Sequence, residues 1–233
     1  MLKRLIPNAC TSANLFFGMC SILSTIHGDF LCGSIFILLA LVADGLDGRT
    51  ARFFGVSSEL GKEMDSLCDL GSFGIAPAIL AYQFALSSYG HFGSFVAIVF
   101  ALCGMWRLAR FNVNTNVVHG FFMGLAIPAG GSIVATSTML LQALSVNPQD
   151  YGFVYPVVML IVAYLMVSHV HYPDFKGDGE KLYLTPKIVA VVFFAAIVFM
   201  GKDAIFFALL AAFFSTYAFF GILNSLYALF VKS

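Results

Sequence analysis

Asp44-Gly45-Leu46-Asp47-Gly48-Arg49-Thr50-Ala51-Arg52, continued to Gly61, Asp65 and Asp69, sets four carboxylates inside an otherwise apolar region. Asp44 and Asp47 are three residues apart, and Asp65 and Asp69 are four apart, so each pair shares one face of a helix. Gly48, Ala51 and Gly61 accompany them, and small residues let a backbone or a ligand come close. A charge at the bilayer centre costs on the order of 3 kcal/mol on insertion scales. Clustered carboxylates also repel one another. A divalent cation relieves both costs, and oxygen-only ligands suit Mg²⁺, Mn²⁺ or Ca²⁺ rather than Zn²⁺. A hard cation beside a helix-borne Arg is a place to hold a diphosphate. The bland alternative is an intramembrane salt-bridge network through Arg49, Arg52 and Lys62.

Composition fixes the setting. Of 233 residues, 60% are hydrophobic and 10% charged, and the mean hydropathy is +0.93. Soluble domains carry about 25% charged residues, so the chain reads as a polytopic membrane protein. The formal net charge is zero and the basic residues are scattered, which argues against a nucleic-acid partner. Cys10, Cys20, Cys32, Cys68 and Cys103 lie in apolar stretches without metal-ligand spacing and read as small buried hydrophobes. Lys3 and Arg4 before an apolar run imitate a signal peptide. Pro7, Asn8, Thr11, Ser12 and Asn14 within that run, and the lack of an A-x-A-like site, favour a first membrane helix.

Eight apolar segments follow one another, approximately 9–27, 30–54, 62–87, 91–112, 120–145, 152–170, 186–200 and 203–230. Each is near or somewhat below the roughly 20 residues that span a bilayer. The connections are short, which predicts an all-α helical bundle, a single integral membrane domain over 1–233. An even number of spans puts both termini on one side. That side receives eleven of the twelve Lys and Arg residues, and the other receives only Lys202. The bias predicts that both termini and the aspartate hairpin face the cytoplasm. A second helix starting near Phe30 puts Asp44 about 21 Å along it, in the cytoplasmic half and reachable from water.

Other polar groups fall at the same level. Asn8, Thr11 and Asn14 recur every third residue on the first helix. Arg107, Arg110 and Asn112 close the fourth, Gly130 and Gly131 open the fifth, and Ser168, His169, His171 and Tyr172 end the sixth. Each has an ordinary reading: helix caps for Asn8 and Thr11, interfacial anchors for the Arg and His residues, close packing for the Gly pair. Their convergence on one membrane boundary is what a single site produces.

The aspartate stretch fits D-x2-D-G-x2-A-R-x8-G-x3-D-x3-D at Asp44, Asp47, Gly48, Ala51, Arg52, Gly61, Asp65 and Asp69. This resembles the CDP-alcohol phosphatidyltransferase family. Flanking segments are similar to its bacterial and archaeal phosphatidylserine synthase branch. They are Pro7-Asn8 with Thr11, Asn14 and Gly18; Arg107-Leu108-Ala109-Arg110-Phe111-Asn112; and Leu165-Met166-Val167-Ser168 with Tyr172, Phe175 and Lys176. Ala126 departs from the branch, which often carries a Pro after its Gly-Leu pair. The likeness covers about residues 5–176, and the helices over about 186–230 match no motif.

The resemblance implies a six-helix core, a homodimer and a prokaryotic cytoplasmic-membrane location. It also implies transfer of a phosphatidyl group from CDP-diacylglycerol to L-serine, giving phosphatidylserine and CMP. It implies Asp44, Asp47, Asp65 and Asp69 as ligands for Mg²⁺ or Mn²⁺, with Ca²⁺ able to occupy the site, and Asp69 as general base. Gly48, Ala51, Arg52, Gly61, Asn8, Thr11 and Asn14 are expected to contact the CDP-lipid. Arg107, Arg110 and Asn112 are expected to bind serine, since Arg suits bidentate pairing with a carboxylate. Two other readings stand beside this one. The family allows another acceptor, such as glycerol 3-phosphate, an inositol phosphate or choline. A divalent-cation transporter is the reading outside enzymes, and it asks for polar residues on the far side of the membrane as well.

Overall fold

Apolar residues without interruption by Pro or charge favour long helices wherever backbone groups must satisfy themselves in lipid. The computed structural model describes residues 2–55, 59–114, 121–173 and 183–232. Within these, the side chains of residues 2–7, 51, 52, 114, 121, 122, 173, 229, 231 and 232 are not described. The helices are α1 (Leu2–Ile26), α2 (Phe30–Phe54), α3 (Glu59–Phe84), α4 (Gly90–Asn114), α5 (Ile127–Ala143), α6 (Val154–Val167), α7 (Leu184–Met200) and α8 (Ile205–Lys232). The protein is an all-α polytopic transmembrane bundle. Among the described residues, five stretches are long and apolar enough to cross a membrane: Asn8–Ile26, Phe30–Thr50, Glu59–Phe84, Leu86–Val113 and Lys202–Ala228. Helices α5, α6 and α7 are shorter, at 17, 14 and 17 residues.

Three features depart from the helix boundaries read in the sequence, besides a first helix that begins at Leu2 rather than near 9. First, α5 begins at Ile127 rather than near 120, and α6 ends at Val167 rather than 170. The intervening residues form two short antiparallel strands, β1 (Phe121–Met123) and β2 (His171–Pro173), with Phe122 opposite Tyr172. Gly124 explains the break. Its φ of +79° lies in the left-handed region, and a Cβ there would stand 2.5 Å from the Met166 carbonyl oxygen. Pro128 then sits in the first turn of α5, where its missing N–H costs nothing. Second, α3 is not a uniform α-helix: Leu70–Ile75 form a π turn directly after Asp69. Third, α3 starts at Glu59 rather than 62 and ends at Phe84 rather than 87.

The core gathers around that π turn. Phe73, within it, is fully buried with Phe100, Ile37, Leu80, Ile127 and Met166. Neighbouring helices come close enough to exclude side chains. A Cβ at Gly131 of α5 would lie 2.9 Å from the Phe73 carbonyl oxygen, and one at Gly18 of α1 would lie 2.9 Å from the Ser72 Cα. Small residues thus allow the backbone approach by which helices associate in lipid. Helix α5 packs against α2, α3, α6 and α8, and its face from Ala129 to Thr136 is buried. The last two helices pair with each other, and α8 also covers α5 and β2.

Candidate active site

Four helices contribute polar groups to one place. Helix α2 presents Asp44 and Asp47, and α3 presents Asp65 and Asp69, as the spacing requires. Asp44, Asp47 and Asp65 each bring a carboxylate oxygen to within 4.8 Å of the other two. Asp69 stands beside this group, against Asp44, and is 7% exposed.

Helix α1 orients the carboxylates. Thr11 Oγ1 donates to Asp47 Oδ2 at 2.8 Å, and Asn14 Nδ2 donates to Asp69 Oδ1 at 3.0 Å. Ser72, in the π turn, donates from Oγ to the Asn14 carbonyl at 2.9 Å. Asp69 is therefore held through a fully buried Asn whose own backbone is tied to the turn that follows it. Sequence reasoning missed Ser72. A small polar residue between Gly71 and Gly74, three positions past Asp69, was the available signal.

The donor set fits a hard cation. Asp65 Oδ1 is buried and has no hydrogen-bond partner, and an ionised oxygen is rarely left so without a ligand. Three carboxylates this close repel, and a divalent ion removes the repulsion. Gly48, beside Asp47, has no atom within 4 Å of the place a Cβ would take, which leaves room for a substrate. Gly61 lies partly buried at the start of α3, and Asn8 lies half-buried one turn before Thr11. The side chains of Ala51 and Arg52, and residues Phe175 and Lys176, lie outside the described residues.

The two arginines of α4 separate. Arg107 is 7% exposed, lies over the Phe111 ring at 5.0 Å from its centroid, and acts electrostatically on Asp69 and Asp44. The Arg110 guanidinium instead donates to main-chain carbonyls: Val167 at 2.7 Å, Met123 and Ser168 at 3.0 Å, and Met166 at 3.2 Å. It closes the C-terminal end of α6, where carbonyls lack intrahelical partners, and binds it to β1. Asn112 turns toward α3: its Nδ2 donates to Ser66 Oγ at 2.9 Å, and its carbonyl accepts from Lys62 Nζ at 3.3 Å. Arg110→Met is expected to destabilise the fold by about 2–3 kcal/mol through the carbonyls left unpaired. In detergent this is a drop of roughly 5–10 °C in the thermal midpoint. An unchanged midpoint with a raised acceptor KM would instead put Arg110 in acceptor binding.

Comparison with known proteins gives the family of the chain. The sequence model of the CDP-alcohol phosphatidyltransferases matches residues 4–169. The chain belongs to this family, and it is an enzyme of the transferase class. It is 32% identical over 224 residues to the CDP-diacylglycerol–serine O-phosphatidyltransferase of Helicobacter pylori, covering 96% of this chain and 92% of that one. It is 34% identical over 181 residues to the protein of the same name from Bacillus subtilis, covering 76% of this chain and 94% of that one. It is also 36% identical over 178 residues to the archaetidylserine synthase of Methanothermobacter thermautotrophicus, covering 76% and 72%.

Proposed function

We propose that this protein transfers the phosphatidyl group of CDP-diacylglycerol to the hydroxyl of L-serine, with Asp44, Asp47 and Asp65 holding Mg²⁺ or Mn²⁺. The observation that carries the reading is the convergence of three carboxylates beside a fourth that is buried and held by Asn14. A divalent cation on the three would neutralise the diphosphate and stabilise the departing CMP.

The chain's own residues do the rest. Asp69 takes the proton from the serine hydroxyl. Asn14 fixes Asp69 Oδ1, which leaves Oδ2 for that proton. The serine oxygen bonds to the lipid-side phosphorus, and the bond from that phosphorus to the oxygen bridging to CMP breaks. Thr11 fixes Asp47 in its ligand rotamer. The open side of Gly48 admits the nucleotide, and Arg52 lies a turn further on for a phosphate contact. Arg107, rather than the engaged Arg110, is the cation for the serine carboxylate. Both termini and the site face the cytoplasm in this reading, as the eleven-to-one division of Lys and Arg supports. The assembly is a homodimer, which the mass of the solubilised protein, corrected for bound detergent, tests.

The experiment is CMP release by the purified protein with CDP-diacylglycerol, Mn²⁺ and a panel of alcohols. Release that depends on serine is expected. Release with glycerol 3-phosphate or an inositol phosphate, but not with serine, would keep the family and overturn the acceptor.

A further inference from the structure

Helices α4 and α6 pack against each other and leave a groove of about 570 Å³. Val99, Leu102, Cys103, Trp106 and Arg110 line it from α4, and His169 lines it from just beyond the end of α6. The α4 residues recur every three or four positions, so they form one stripe. The stripe faces outward. Leu102 and Trp106 are 50% and 70% exposed, whereas Arg107, next in the chain, is turned inward at 7%. None of the four aspartates lines the groove.

Two features set this groove apart from an ordinary lipid-facing surface. The first is charge. Arg110 and His169 stand at one end, and the rest of the lining is apolar. Among the described residues, the hydrogen bonds of Arg110 all go to carbonyls, and its Nε–H takes part in none of them. Carbonyls satisfy N–H groups but carry no net charge. A partly buried cation at membrane depth is costly without a counter-charge, so this end attracts an anion. The second feature is length. Val99 and Arg110 are eleven residues apart, which is about 16 Å along a helix. That is roughly one leaflet of a hydrocarbon core about 30 Å thick.

We propose that the α4–α6 groove binds an anionic phospholipid of the surrounding bilayer, at a site separate from the aspartate centre. The phosphate sits at Arg110 and His169, and one acyl chain runs along Cys103, Leu102 and Val99. The indole N–H of Trp106 lies at the head-group level that Trp favours, as a further donor. The charged end is the one that the division of Lys and Arg assigns to the cytoplasm, and basic pockets between helices on that side suit anionic head groups. Arg110 then has two tasks. Its Nη groups hold the end of α6 to β1, and its charge holds the lipid.

Trp106 is the one Trp of the chain, so its fluorescence reports on the groove alone. The full-length protein is reconstituted in phosphatidylcholine vesicles, and phosphatidylglycerol or phosphatidylcholine with brominated acyl chains is titrated in. Bromine quenches a nearby indole. Neither lipid carries a diphosphate, so the aspartate centre is not what is probed. Half-maximal quenching is expected at about five-fold lower content of brominated phosphatidylglycerol than of brominated phosphatidylcholine. His169→Glu places a carboxylate at an exposed position. It is expected to remove the preference while quenching by phosphatidylcholine stays unchanged, which shows a folded protein with an open groove. Equal quenching by the two lipids in the wild type overturns the proposal. So does a preference that His169→Glu leaves intact. Quenching by neither lipid would put protein over the groove, such as a second copy of this chain, and overturns it too.

Discussion

Asp69→Asn is expected to abolish serine-dependent CMP release, with a loss of about 10³-fold or more from the missing proton acceptor. The substitution is nearly isosteric, and the carbonyl of Asn can still accept the Asn14 Nδ2 bond seen at 3.0 Å. The geometry of the site should therefore survive while its base does not. Mn²⁺ binding, followed by electron paramagnetic resonance, separates the two roles that family resemblance gives this residue. The three carboxylates that lie within 4.8 Å of one another do not include Asp69, so Mn²⁺ affinity is expected to change less than activity. An equal collapse of both would make Asp69 a ligand first. Asn14→Leu gives an intermediate result in the same assay, because the base remains but its orientation is lost.

Asp65→Asn is expected to remove metal binding and activity together. Asp65 Oδ1 is buried without a hydrogen-bond partner, so its place is explained by a ligand rather than by the fold. Replacing a first ligand should weaken Mn²⁺ binding by more than about 100-fold, since loss of even an outer-sphere partner typically costs 10–100-fold. The protein should stay folded. Removing one of several repelling carboxylates is neutral or favourable when no cation is bound, so the thermal midpoint in EDTA is expected to hold or rise. Chelation of the wild-type enzyme should stop CMP release, and Mn²⁺ should restore it. Activity that persists in EDTA, or a variant that still binds Mn²⁺ at wild-type affinity, would exclude the triad as the metal site.

These outcomes turn on residues that the sequence reveals, because charge inside an apolar run has so few physical explanations. Asp44, Asp47, Asp65 and Asp69 stand out at helical spacing, and the eight apolar runs correspond to helices α1 to α8 among the described residues. Thr11 and Asn14, expected at the substrate, lie against the carboxylates themselves. Arg110 shows where such reading ends. An Arg near the end of a membrane helix has one sequence signature whether its partner is a substrate carboxylate or the carbonyls of Met123, Met166, Val167 and Ser168. The partners are some 13 to 58 residues away in sequence, and no local pattern encodes them. The β1–β2 ladder is hidden for the same reason: three residues a side, paired across fifty, leave no periodicity to detect.

The π turn at Leu70–Ile75 has a mechanical consequence. One extra residue in a turn advances the helix by about 100° relative to an uninterrupted α-helix. Helix α3 is thus two helices out of phase, joined end to end. The half that carries Asp65 and Asp69 is indexed to the carboxylates of α2, and the half beginning at Ala76 is indexed to the apolar core. Deleting one residue between Leu70 and Ile75 would bring the halves into phase and force a choice between chemistry and core.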